Sequence, residues 1–174
     1  MLLTSQGGNM SKSTDEHNAA KNGVKGERIL REELTKHGFT LLKKKEHFKN
    51  SQHPYKGTIS FPSPYDNGAF QSDGFIPELG IIVEIKYGEK HGTTEEKVMV
   101  DLEKIRDGVY GSKYPLTYFF WGTPEVPSTK TTGRCWANVF RDKIKKEGHP
   151  VEVVYATTND GFNKWIARKK KLLR

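Results

Sequence analysis

Asp73, Glu84 and Lys86 are the residues whose types and spacing can carry chemistry in this chain. They flank Pro77-Glu78-Leu79-Gly80, a turn signal between two short apolar runs. With Glu78 and Leu79 as the two-residue turn of a β-hairpin, Asp73 faces Glu84 and Gln71 faces Lys86. Directly opposed Cβ atoms stand about 4.5–5.5 Å apart. Lys86 lies two residues beyond Glu84 and shares its sheet face. This register gathers two carboxylates, an ammonium and an amide, and a slip of one residue scatters them.

Two carboxylates at that distance repel, and unpaired charge in a mostly apolar hairpin is costly. A divalent cation removes the conflict. Hard oxygen ligands suit Mg²⁺, with Mn²⁺ able to substitute. Lys86 is then placed to orient or deprotonate an attacking water. The same residues also have a plainer reading, in which Lys86 only neutralises Glu84 on a half-exposed sheet face.

The charge balance points the same way as the metal chemistry. Among 174 residues there are 29 Lys+Arg against 21 Asp+Glu, a net charge of +8, which favours a polyanion such as nucleic acid as partner. Lys43, Lys44, Lys130 and Arg134 sit in basic segments suited to phosphate contacts, although a solvated face looks the same. A polar and aromatic stretch over 46–69 carries Asn50 and Gln52, whose amides, with that of Gln71, can read base edges. Other chemistries are excluded. No apolar stretch approaches the roughly 20 residues a membrane span needs. The apolar start at Met1-Leu2-Leu3 is too short for a signal peptide, so a cytoplasmic protein is expected. The single cysteine, Cys135, rules out an intrachain disulfide and a Cys-rich zinc site. His47 and His53 lack partners at ligand spacing, and there is neither a Gly-rich phosphate loop nor a nucleophile elbow.

The elements that must position these residues follow from pattern. Residues 1–23 read as a disordered tail, with Met10 a second candidate start, and 24–174 as one domain. A helix is expected from Gly26 to His37, stopped by Gly38, and then a short strand over Phe39–Leu42. After the 46–69 loop come strands near 70–76 and 81–87, a helix over 94–109 and an apolar strand over 116–121. A helix over 134–147, a strand over 151–156 and a helix from Gly161 complete the chain. This order predicts an α/β fold with a mixed sheet flanked by helices on both faces.

Asp73 followed by Glu84-Ile85-Lys86 at the end of a hairpin resembles the PD-(D/E)XK nuclease superfamily, the restriction-endonuclease-like fold. The order αβββαβ over about 26–121 is similar to the common core of that superfamily, with 122–174 as a C-terminal extension. Ser72 stands where proline often precedes the first acid. The resemblance implies that Asp73, Glu84 and the Ile85 carbonyl bind the metal. It implies that Lys86 positions the attacking water and that Glu27, on the opening helix, joins the catalytic set. It implies a Mg²⁺-dependent DNA endonuclease leaving 5′-phosphates, most like a type II restriction enzyme acting as a homodimer, cytoplasmic and bacterial, archaeal or phage-encoded. Gly26-Glu27-Arg28 and His37-Gly38-Phe39 also resemble Holliday-junction resolvases, and a phage or homing endonuclease of the same fold stays open. A basic DNA-binding module without catalysis is the alternative of another class.

Overall fold

The computed structural model describes residues 12–43, 55, 59–89, 94–127 and 133–174. Helix α1, Lys12–Lys36, opens the described chain. It begins inside the stretch expected to be a tail. Lys12–Lys36 contains no proline, and Ala19, Ala20 and Lys21 are good helix formers, so the helix extends back beyond the Gly26 start that the apolar pattern marked. Its end matches expectation. Gly38 adopts φ +82°, and the Phe39 N–H returns to the Leu34 carbonyl.

Strand β1 (Ser60–Pro62) lies inside the 46–69 region expected to be a loop and pairs antiparallel with β2 (Ala69–Gln71), which covers the start of the strand expected near 70–76. Strands β3 (Gly74–Ile76) and β4 (Ile81–Gly88) form the central hairpin. Helix α2 (Thr94–Arg106) leads to β5 (Leu116–Gly122), helix α3 (Trp136–Glu147) to β6 (Val151–Tyr155), and helix α4 (Gly161–Leu172) closes the chain. The main sheet runs β3-β4-β5-β6, with β3 antiparallel to β4 and the rest parallel. The α/β class with a mixed sheet is therefore as expected. The expected Phe39–Leu42 strand is reduced to one bridge, Leu42 to Phe75.

Strand alternation gives the sheet two apolar faces. Val83, Ile85, Phe119 and Val154 face α1 and α4, packing on Leu30, Leu34, Phe162 and Trp165. Phe75, Ile82, Tyr118 and Phe120 face α2 and α3, packing on Val98, Leu102, Phe140 and Ile144. Glu84 and Lys86 fall on that second face by the same alternation, so two carbon-rich layers bury a pair of charges. No helix among the described residues is long and apolar enough to cross a membrane.

Candidate active site

The hairpin register determines the site. Gly74 opposes Val83, Phe75 opposes Ile82 and Ile76 opposes Ile81, and one step further brings Asp73 to Glu84, as the sequence predicts. The connection is a four-residue turn over 77–80 with Gly80 at φ +62°, which preserves the register expected of a two-residue turn. Strand β3 then ends abruptly. The Ser72 N–H turns away to the Ile59 carbonyl, and the chain leaves for the β1–β2 sheet. The expected single strand over 70–76 is thereby split at Ser72–Asp73.

Where β3 stops, a side chain takes over the ladder. The Ile85 N–H donates to Asp73 Oδ2 at 2.7 Å, so a carboxylate replaces the missing backbone acceptor. Phe75 exchanges hydrogen bonds with Leu42, and Ile82 donates to the Pro115 carbonyl. Alternation along β4 then directs both the N–H and the C=O of Ile85 toward the β3 edge, beside Asp73. The Ile85 carbonyl thus faces the same edge of β4 as its N–H.

Glu84 is 5% exposed, and its carboxyl is held from two sides. Tyr110 Oη donates to Glu84 Oε1 at 3.1 Å, and Tyr110 and Tyr118 share a hydrogen bond of 3.1 Å. Lys86 Nζ donates to Glu84 Oε2 at 3.4 Å and lies 5.6 Å from the centre of the Tyr118 ring. Burial first, and the Asp73 charge second, push the Glu84 carboxyl up to about 8. Burial also raises the Tyr110 hydroxyl, reinforced by the Glu84 charge, so Tyr110 stays a donor. Burial alone would depress the Lys86 ammonium, but Glu84, Asp101 and Asp73 together hold it above the ordinary lysine value.

Asp101, on α2, is the participant that sequence reasoning missed. It is 3% exposed, with Oδ2 at 2.6 Å from Lys86 Nζ and Oδ1 at 3.0 Å from Lys104 Nζ. The Lys86 contact is an ion pair by distance rather than a well-aligned hydrogen bond. Asp101 follows Val98 by three residues and precedes Leu102 by one, so helical spacing places it beside the buried stripe. That spacing was the available signal, but it needed α2 to lie over β4. The result is a row of alternating charge: Glu84, Lys86, Asp101, Lys104.

The other expected site residues are placed differently. Glu27 pairs with Lys43, and its helix lies against the Ile85 and Tyr87 face, opposite Glu84 and Lys86. Glu27 therefore stands on the helix that covers the opposite face of the sheet, in an ion pair with Lys43. Gln71 is exposed and opposes Ser60 in the small sheet rather than facing Lys86, because the chain has turned away at Ser72. Arg134 is exposed at a cleft of about 540 Å³ that Asn138, Lys143 and Lys146 also line. Lys44, Asn50, Gln52 and Lys130 lie outside the described residues.

Asp73, Glu84 and the Ile85 carbonyl offer hard oxygen donors at the end of the hairpin. Burial first and the neighbouring Asp73 charge second raise the Glu84 carboxyl, and a divalent cation relieves both. Oxygen donors of this kind are the chemistry that Mg²⁺ takes. No family model, no curated protein and no solved structure matches this chain.

Proposed function

We propose that the chain is a Mg²⁺-dependent DNA endonuclease with a restriction-endonuclease-like core, hydrolysing phosphodiester bonds of double-stranded DNA to leave 5′-phosphates. The observation that carries this reading is the register that sets Asp73 against Glu84 with Lys86 on the same face. Asp73, Glu84 and the Ile85 carbonyl would hold the cation. When bound, it stabilises the charge that develops on the phosphoryl oxygens and activates a nucleophile at neutral pH.

The chain's own residues do the rest. Lys86, kept protonated by three carboxylates, donates hydrogen bonds to the attacking water or the phosphate and does not take a proton. Of the two roles expected for it, orientation is the one supported. Tyr110 fixes one Glu84 oxygen through its hydroxyl. Arg134, Lys143 and Lys146 offer cations for backbone phosphates at a cleft edge. A type II restriction enzyme cutting both strands as a homodimer is the form this reading takes.

Incubating the protein with supercoiled plasmid and Mg²⁺ tests it. Wild type is expected to nick or linearise the plasmid, and Glu84→Gln is expected to bind the DNA without cutting. A Glu84→Gln variant that cuts as fast as wild type would remove the assignment. Protein that binds DNA and never cuts it, with Mg²⁺ or Mn²⁺, would point to the non-catalytic module.

A further inference from the structure

The shortest ion pair of Lys86 is with a residue of another element. Lys86 Nζ is 2.6 Å from Asp101 Oδ2 but 3.4 Å from Glu84 Oε2, and its side chain is only 12% exposed. An ammonium sealed beside a carboxylate is itself a cation for that carboxylate. It competes with any metal that needs the same oxygen. We propose that Asp101 is a positioning residue that draws the Lys86 ammonium off Glu84 and so keeps the Glu84 carboxylate available to a divalent cation. This inference rests on the reading of Asp73 and Glu84 as metal ligands.

The surroundings favour this role over a plain structural pair. Asp101 is anchored from its other oxygen by Lys104 at 3.0 Å, so it cannot swing freely toward solvent. Lys104 in turn stands 4.9 Å from the centre of the Phe70 ring on β2, which fixes the far end of the row. The Tyr118 ring forms the remaining wall beneath Lys86. Lys86 can therefore shift between two carboxylates, and the one on α2 holds it closer. With Asp101 neutralised, the remaining ion-pair partner of Lys86 among the described residues is Glu84, and the ammonium closes onto it.

Mn²⁺ uptake by the DNA-free protein, read from the electron paramagnetic resonance of the free ion, tests this without cleavage. Asp101→Asn should weaken uptake about tenfold, the size of a coupled charge interaction, while Asp101→Glu should stay within about twofold of wild type. In a Lys86→Met background the competitor is gone, so Asp101→Asn should cost less than about twofold. Should Asp101→Asn not fold, Asp101→Ser carries the same expectation. Unchanged uptake in Asp101→Asn overturns the inference. So does an equal loss in both backgrounds, which would mean that Asp101 acts by its field alone. Wild type that takes up no Mn²⁺ overturns the metal site itself and this inference with it.

Discussion

Asp73 and Glu84 play unlike parts although both are acids in one register. Asp73 is half-buried and already accepts the Ile85 N–H, whereas Glu84 is buried, raised to about 8 and held by Tyr110. Asp73→Asn and Glu84→Gln should each abolish cleavage and keep or improve DNA binding, because each removes a proposed metal ligand and a charge that repels phosphate. Gel-shift and plasmid assays on the same preparations check this. Lys86→Ala should lose cleavage by orders of magnitude, and excess Mg²⁺ should not restore it; recovery at high Mg²⁺ would mean that Lys86 only screens Glu84. The raised Glu84 carboxyl also sets a pH dependence. Its value moves from 4.5 to about 8 on folding, so the folded state holds an extra proton between those values. In chelator, the contribution of Glu84 to stability should therefore be full below pH 4.5 and be lost as pH rises through about 8. Thermal melts should show a falling Tm over that window. Glu84→Gln should flatten it, and Mg²⁺ should raise the Tm of wild type most at the alkaline end.

At the scale of elements, α1 and β4 approach so closely that Gly26 sits on the strand. A Cβ at Gly26 would lie 2.7 Å from Tyr87 Cβ and 3.2 Å from Ile85 Cγ2. Gly26→Ala gains about 1 kcal/mol of helix propensity, but overpacking costs about 1–3 kcal/mol. The contact is with a strand residue's Cβ, which cannot swing aside, so the clash should prevail. The variant should melt a few degrees lower, at roughly 2–4 °C per kcal/mol for a chain of this size. An unchanged or higher Tm would contradict this packing. The same elements explain what was legible beforehand. The Glu84 register was readable because period-two alternation and Pro77–Gly80 are local signals. The break at Ser72 was not, because its N–H is satisfied by the distant Ile59 carbonyl. Asp101 was equally hidden: nothing local says that α2 lies over β4, and only that packing turns an acid in a helix into the partner of Lys86. Glu27 was legible only in part, for the converse reason. Its position beside the Leu30 and Leu34 stripe is as expected, but that stripe packs on the other face of the sheet.

For the whole molecule, the +8 balance predicts DNA affinity dominated by phosphate contacts and strongly dependent on salt. Arg134→Ala and Lys130→Ala should each reduce the salt slope by about one unit, with equal loss on cognate and random duplexes. Asn50→Ala or Gln52→Ala should weaken cognate binding selectively, because amides read base edges. Titrations of both duplexes across a salt series separate these cases. An unchanged slope for Arg134→Ala would move the phosphate contacts elsewhere, with Arg168–Lys171 on α4 the next candidate. Joining these scales, the hairpin that carries Asp73, Glu84 and Lys86 is proposed to hydrolyse DNA. Digestion of a sequenced plasmid with Mg²⁺, followed by sequencing of the product ends, tests it most directly. Discrete fragments with 5′-phosphate ends at one repeated sequence, lost when Mg²⁺ is chelated, are the predicted result. A plasmid that stays intact at every Mg²⁺ and Mn²⁺ concentration, or cleavage that persists in chelator, would contradict the account.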